Sequence, residues 1–155
     1  AGRANPAGIP YLYLADNIDT CVAEVRPSNA SRLFISEFSP IKELVVLDLT
    51  NPRHLCVASS FEEEQLSIVL NYLNLLEKLS LDLSRPVSKE SSELEYIPTQ
   101  FLCEFIKSVS GVGGLLFKSS FSKGNNFVFF ESGDLHVCEP RQFEVYETSH
   151  KTRQL

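Results

Sequence analysis

Four polar residues near the start of the chain stand out because apolar patterning alone does not require them. They are Arg3, Asn5, Tyr13 and Glu24. Arg3 lies beside a Gly/Pro turn, where its planar guanidinium can hold a phosphate or carboxylate, or can simply form a surface ion pair. Tyr13 can stack on an aromatic ring or lie half-buried in the core. Glu24 can be a catalytic carboxylate or a solvated side chain.

A second group of polar residues lies in the stretch KSSFSKGNNFVFF, residues 118–130. Its hydroxyls, amides and backbone N–H groups can line a polar pocket, or the stretch can be a plain β-hairpin. The stretch YIPTQ, residues 96–100, has the composition of a helix start. The sequence contains no GxSxG, GxGxxG or GxxxxGKS/T pattern. Because no His is suitably placed either, a Ser–His–acid hydrolase is not expected.

Length and composition favour one folded domain. The chain has 155 residues, of which 43% are hydrophobic, enough for a packed core. Its formal net charge is −6, from 14 basic and 20 acidic residues. We therefore expect no nucleic-acid partner, since phosphate backbones need a basic surface. No apolar run is long enough to span a bilayer and no signal-peptide pattern is present, so we expect no membrane partner and a cytoplasmic location.

The cysteines and histidines do not form a metal-binding pattern. Four cysteines lie far apart with no CxxC pair, and the three histidines are scattered, so we expect no metal. Cys21 and Cys103 fall in apolar helical patterns. We expect both to be buried free thiols.

Periodicity and turn signals predict an alternation of short strands and three helices. Strands are predicted at residues 11–15, 33–38, 44–49, 115–118, 127–131 and 142–147. Helices are predicted at 17–25, 61–83 and 98–109, the second with a core-facing Leu-rich side that includes Leu70 and the third ending at Gly111. Asp16 or Asn17 can cap the first helix, Ser60 and Glu63 can form a capping box for the second, and Pro98 suits the first turn of the third. Residues 85–95 are predicted to be a loop, and the polar tail after Thr148 to fray.

These elements predict an α+β fold with mixed, mostly antiparallel sheets and flanking helices. The strands come in clusters rather than in strict βαβ alternation, which argues against a doubly wound parallel sheet. We expect a single domain over residues 1–148, followed by a polar tail at 149–155.

Four stretches, taken in order, resemble the RES domain family. They are GRANPAGIPYLYLA, TCVAEVRP, EYIPTQFLCEF, and GLLFKSS followed by GNNFVFF. The resemblance runs from residue 2 to about residue 131. It implies a fold related to the ADP-ribosyltransferases and the use of NAD+ as substrate. GRANP in place of the usual GRWNP is similar to longer members in which the RES domain follows a separate N-terminal region, sometimes a HEPN-like one.

The resemblance also implies roles for particular residues. Arg3 would hold the pyrophosphate, Tyr13 would stack on nicotinamide or ribose, and Glu24 would stabilise the oxocarbenium-like ribose or orient water. These three residues are the expected catalytic set. The family's Ser falls at Ser119 or Ser120, which would bind the nicotinamide amide or a phosphate. The expected NAD-binding residues are thus Arg3, Tyr13, Ser119, Ser120 and Asn126.

The function that the resemblance implies is cleavage of NAD+ at the nicotinamide–ribose bond by a toxin-like or defence effector. The rival interpretations are a protein ADP-ribosyltransferase and a catalytically idle binding or assembly module. An antitoxin or regulatory protein is an expected partner, as is a further copy of the chain. Relative to the family pattern, Ala4 replaces a Trp, and we expect an upstream segment with a strand and a further NAD-binding Arg. The Leu-rich helix and Ser-rich loop are an expected insertion.

Overall fold

A computed structural model describes residues 2–56, 61–85 and 92–147. The helices are α1 (Ile18–Val25), a 3-10 turn (Pro52–Leu55), α2 (Glu63–Ser84) and α3 (Ser92–Ser110). The strands are β1 (Leu12–Ala15), β2 (Arg32–Ile35), β3 (Phe38–Pro40), β4 (Val46–Asp48), β5 (Gly114–Lys118), β6 (Asn125–Phe129), β7 (Leu135–Val137) and β8 (Arg141–Glu144).

The strands form one four-stranded sheet and two small ribbons. The larger sheet has the order β1-β6-β5-β4, and only its β4–β5 pair is parallel. The ribbons pair β2 with β8 and β3 with β7, both antiparallel. The prediction of a mixed, mostly antiparallel α+β fold is therefore confirmed. No helix in the described part of the chain is long and apolar enough to cross a membrane.

Local chemistry explains the limits of α1. Asn17 has an extended backbone, and its side-chain oxygen accepts the N–H of Thr20 at 2.8 Å, so Asn17 rather than Asp16 is the N-cap. The helix ends at Arg26, whose φ of 51° is left-handed. Pro27 follows and cannot continue the helical hydrogen bonding.

Helix α2 carries the Leu-rich face that supports the larger sheet. Leu73, Leu79 and Leu83 are buried, which confirms the core-facing prediction for the second half of the helix. Leu70, assigned to the same face, is 40% exposed. Ser60 of the predicted capping box lies outside the described residues, and the N-cap position is taken by Glu62.

Helix α3 begins earlier than its sequence indicates. The prediction placed its start at Pro98 and a loop over 85–95, but the helix runs from Ser92, with Pro98 in its interior. Pro98 has no N–H for the carbonyl of Leu94, and Leu94 is 79% exposed, so the missing hydrogen bond falls in a turn near water. Residues 86–91 lie outside the described residues. Gly111, with φ of 68°, ends the helix as predicted.

One predicted strand proved to be two, and one strand was not predicted. Residues 33–38 contain most of β2 and the first residue of β3, with Ser36 and Glu37 between the two strands. The two strands belong to different ribbons. β7 was missed because three residues are too few for a period-two pattern. The tail from residue 148 lies outside the described residues.

The core lies between the larger sheet and helices α2 and α3. Its fully buried members include Leu49, Leu79, Leu83, Cys103, Leu115 and Val128. Ala4 is also fully buried, so the turn that carries Arg3 is anchored in this core. This anchoring is what allows a short N-terminal turn to hold a side chain in a defined place.

Candidate active site

Glu24 occupies the centre of a polar cluster formed by three separate elements. Its Oε1 accepts hydrogen bonds from Ser119 Oγ at 2.7 Å and from Asn126 Nδ2 at 2.6 Å. The side chain is half-buried and lines a cleft. Its second oxygen, Oε2, accepts no hydrogen bond from the described residues. Two donors on one oxygen thus hold the carboxylate in place and leave the other oxygen for a ligand.

Asn126 comes from the middle of the larger sheet. It lies on β6, opposite Ala15 of β1 and Phe117 of β5, and is buried. Paired strands on both sides keep its backbone in place. An amide donor fixed in this way is a rigid support for the Glu24 carboxylate.

Ser119 follows β5 and has its hydroxyl oriented by the backbone. Its Oγ accepts the N–H groups of Phe121 at 3.0 Å and Ser122 at 3.1 Å. These two contacts occupy the acceptor positions of the hydroxyl, so its single proton is directed at Glu24. The sequence stretch predicted to be a hairpin is one, and its turn also builds the polar pocket that was the alternative.

The start of α1 is fastened to the hairpin turn, which places Glu24 beside Ser119. Asp16 Oδ2 accepts the backbone N–H of Asn125 at 2.9 Å, and Thr20 Oγ1 lies 2.8 Å from Ser122 Oγ. Gly124 makes this approach possible, since a Cβ at that position would lie 2.1 Å from Thr20 Oγ1. One helical turn later, α1 presents Glu24 to the cluster.

Arg3 and Ser120 form a second cluster at the end of α2. Arg3 Nη1 donates to Ser120 Oγ at 3.0 Å and to the carbonyl of Leu83, and Ser120 Oγ donates to the carbonyl of Ser84. The C-terminal end of a helix carries partial negative charge, which a guanidinium stabilises. The two candidate serines therefore contact different groups: Ser119 contacts Glu24, and Ser120 contacts Arg3.

The turn that carries Arg3 is held by residues to which the sequence assigned no role beyond starting a helix. Thr99 Oγ1 donates to the carbonyl of Arg3 at 2.6 Å, and Gln100 Nε2 donates to the carbonyl of Gly2 at 2.8 Å. Thr99 is buried. No feature of the sequence besides the family-like stretch that contains them marked these two residues.

Tyr13 connects the Arg3 turn to the cleft. Its hydroxyl accepts the N–H of Ala4 at 3.1 Å and donates to Asn5 Oδ1 at 2.6 Å. The residue is 43% exposed and its ring lines the cleft, while the hydroxyl end is enclosed by the turn. Burial raises the pKa of Tyr13 to about 12, although the hydrogen bond from the Ala4 N–H and, more weakly, the Arg3 charge oppose this. The ring is therefore partly exposed at the cleft, and the hydrogen bonds of its hydroxyl hold it there.

The cleft has a volume of about 740 Å³ and two walls. The near wall is formed by β1, α1 and Asn126, and includes Tyr13 and Glu24. The far wall is the run from Phe34 to Phe38, which joins the two ribbons. A cleft of this size fits the range of small-molecule sites. No local pattern associates the far wall with the site, since only the fold brings the ribbons there.

The structure places one predicted buried cysteine in the core and the other at the cleft, and it places Arg3 outside the cleft lining. Cys103 is a buried free thiol as predicted, whereas Cys21 is half-buried and lines the cleft. Arg3 lies with Ser120 and near Tyr13, but it is not among the residues that line the cleft. The described residues include no group of three or more His, Cys, Asp or Glu side chains suited to a metal ion.

Comparison with known proteins identifies the family. No curated protein and no solved structure matches the chain, so the relation to the ADP-ribosyltransferase fold stays a prediction. The family model of the RES domain matches residues 1–148, nearly the whole chain and every residue of both polar clusters. The chain belongs to the RES domain family.

Proposed function

We propose that the chain is an NAD+ glycohydrolase that depletes NAD+ in a toxin-like or defence role. The observation that carries this proposal is the Glu24 carboxylate, held by Ser119 and Asn126 with one oxygen directed to neither. A carboxylate fixed at the wall of a cleft is what cleavage of an N-glycosidic bond to a cationic ring requires.

The reaction breaks the bond between the ribose C1′ and the nicotinamide nitrogen. The bonding electrons pass to the pyridinium ring, which leaves as neutral nicotinamide, and the ribose gains oxocarbenium character. The ionised Glu24 stabilises that positive charge. Water then adds to C1′ and loses one proton, so that the products are nicotinamide, ADP-ribose and a proton.

The supporting residues take roles that follow from their contacts. Ser119 and Asn126 fix Oε1 of Glu24 through their hydrogen bonds. Oε2 is thereby oriented toward the reacting carbon. Arg3, which has guanidinium donors beyond Nη1, binds the pyrophosphate, with Ser120 beside it. Tyr13 lines the cleft and is hydrogen-bonded to the Arg3 turn, and it provides an aromatic ring between the two clusters.

The test is to incubate the protein with NAD+ and to measure nicotinamide and ADP-ribose by chromatography. We expect equal amounts of both products from the parent protein. Glu24→Gln keeps the shape and removes the charge, so release should fall by about 100-fold or more. Glu131→Gln, the same change at an exposed residue outside the cleft, is the matched control and should retain activity.

The products also separate the proposal from its rivals. Nicotinamide together with ADP-ribose attached to protein would point to an ADP-ribosyltransferase. A folded protein that yields neither product would point to a binding or assembly module. Full activity of Glu24→Gln would overturn the role given to the carboxylate.

A further inference from the structure

The far wall of the cleft carries an aromatic side chain that belongs to none of the four family-like stretches. Phe34 lies on β2, lines the cleft together with Tyr13 and Glu24, and is 70% exposed. A single exposed apolar side chain is ordinary on a protein surface. Phe34 differs from such a residue because any ligand that reaches Glu24 enters the cleft that Phe34 lines.

Phe34 is not needed to hold β2 in place. Arg32 and Phe34 are exposed, whereas Leu33 and Ile35 are half-buried. The backbone at Phe34 pairs with Gln142 of β8, and this pairing does not depend on the side chain. The ring can therefore be changed without removing the contacts that fold the ribbon.

The charge of the cleft determines which flat ring suits Phe34. Asp16, Glu24 and Glu37 line the cleft, and no Arg, Lys or His side chain does so among the described residues. Glu37 is paired with Arg141, which leaves Asp16 and Glu24 as the carboxylates without a cationic partner in the described structure. A cleft of this charge attracts a cation and disfavours a pyrophosphate.

The two rings of NAD+ differ in this respect, since nicotinamide is a pyridinium cation and adenine is neutral. The face of an aromatic ring attracts a cation placed over it. We infer that Phe34 forms the stacking platform for the pyridinium ring, facing the wall that carries Tyr13. This inference rests on the proposed function and extends it, because it assigns ring specificity to a residue of the far wall.

The absence of Trp from the chain allows a direct test. Phe34→Trp introduces one fluorophore at the proposed platform. Its emission is followed while nicotinamide mononucleotide, which has the pyridinium but no adenine, or ADP-ribose, which has adenine but no pyridinium, is added. We expect saturable quenching by the mononucleotide and little by ADP-ribose. Phe101→Trp is the matched control, since Phe101 is 69% exposed but lies on α3 outside the cleft.

The outcomes are distinct. Saturable quenching by ADP-ribose but not by the mononucleotide would overturn the choice of ring. The same unsaturable quenching in both Trp variants would overturn the platform itself. Kinetics provide a second measurement: Phe34→Ala should raise KM for NAD+ about tenfold, and Phe34→Tyr should restore it.

Nicotinamide release by the parent protein, measured alongside, separates this inference from the proposed function. Release without specific quenching would remove the role of Phe34 and leave the hydrolase intact. Saturable quenching without release would keep the pyridinium site and remove the hydrolase. An absence of both would overturn both proposals.

Discussion

The two walls of the cleft differ in what lies behind them. The near wall is continuous with the larger sheet, whose strands β5 and β6 each contain three buried residues. The far wall connects two ribbons whose strands have three or four residues each and none that is buried. The polar cluster around Glu24 lies on the wall that has the core behind it. A carboxylate that must be aimed needs rigid support, whereas a stacking surface tolerates small movements.

The largest expected difference between the walls is in their contribution to stability. Leu115 on β5 is fully buried, while Leu33 on β2 is only half-buried. Leu115→Ala should lower the free energy of unfolding by about 2–5 kcal/mol because it removes core contacts and leaves a cavity. Leu33→Ala should cost less than half as much. Urea unfolding measures both, and equal losses would show that the far wall has a core of its own.

The two serines should differ in how strongly they affect activity. Ser119→Ala removes a donor to the Glu24 carboxylate, and such a hydrogen bond contributes about 1.5–3 kcal/mol, so nicotinamide release should fall at least about tenfold. Ser120→Ala instead loosens Arg3 from the end of α2. It should reduce nicotinamide release less than Ser119→Ala does, because Arg3 keeps its hydrogen bond to the carbonyl of Leu83. The reverse order would show that Ser120 is the residue that acts at the reacting centre.

Alkaline pH should weaken the core behind the near wall. Burial raises the pKa of the Cys103 thiol from 9.0 to about 12. Between these values the unfolded state loses the proton while the folded state keeps it, so the free energy of unfolding falls as pH rises, by at most about 1.4 kcal/mol per pH unit. Burial raises the pKa of Tyr13 in the same direction.

Urea titrations on both sides of pH 9.0 measure this effect. Cys103→Ala should make the alkaline decline shallower without removing the part due to the tyrosines with raised pKa values, whereas Cys138→Ala, which changes an exposed thiol of the ribbon region, should leave it unchanged. A decline that is the same in all three proteins would mean that another group controls it.

The smallest effect is expected from the ion pair of the far wall. Glu37 and Arg141 are 66% and 60% exposed in their side chains, and exposed pairs contribute between zero and about 1 kcal/mol. Arg141→Gln should therefore change the free energy of unfolding by less than about 1 kcal/mol, and added salt should reduce the difference further. A loss of several kcal/mol would show that charged groups, rather than strand pairing, hold the ribbons together.

Most helices and strands could be predicted from the sequence because the residues that begin, end and orient them lie close together along the chain. The Asn17 cap, the stop at Pro27 and the Leu face of α2 each depend on residues within a few positions. Pro98 misled the prediction for α3 because proline is favoured in a first turn and disfavoured in a helix interior, whereas this helix already runs from Ser92. The division of residues 33–38 between two ribbons depends on pairing with β8 and β7, about 100 positions further along the chain. A local pattern cannot predict such pairing.

The candidate site divides in the same way. The sequence by itself determined which residue types were present, in which order, and that they resemble the RES pattern, since motifs are read along the chain. Only the tertiary structure decided that Ser119 contacts Glu24 while Ser120 contacts Arg3, because adjacent residues after a strand point in different directions. Only the tertiary structure placed Phe34 in the same cleft. Long-range strand pairing creates that proximity, and the spacing of residues along the chain does not contain it.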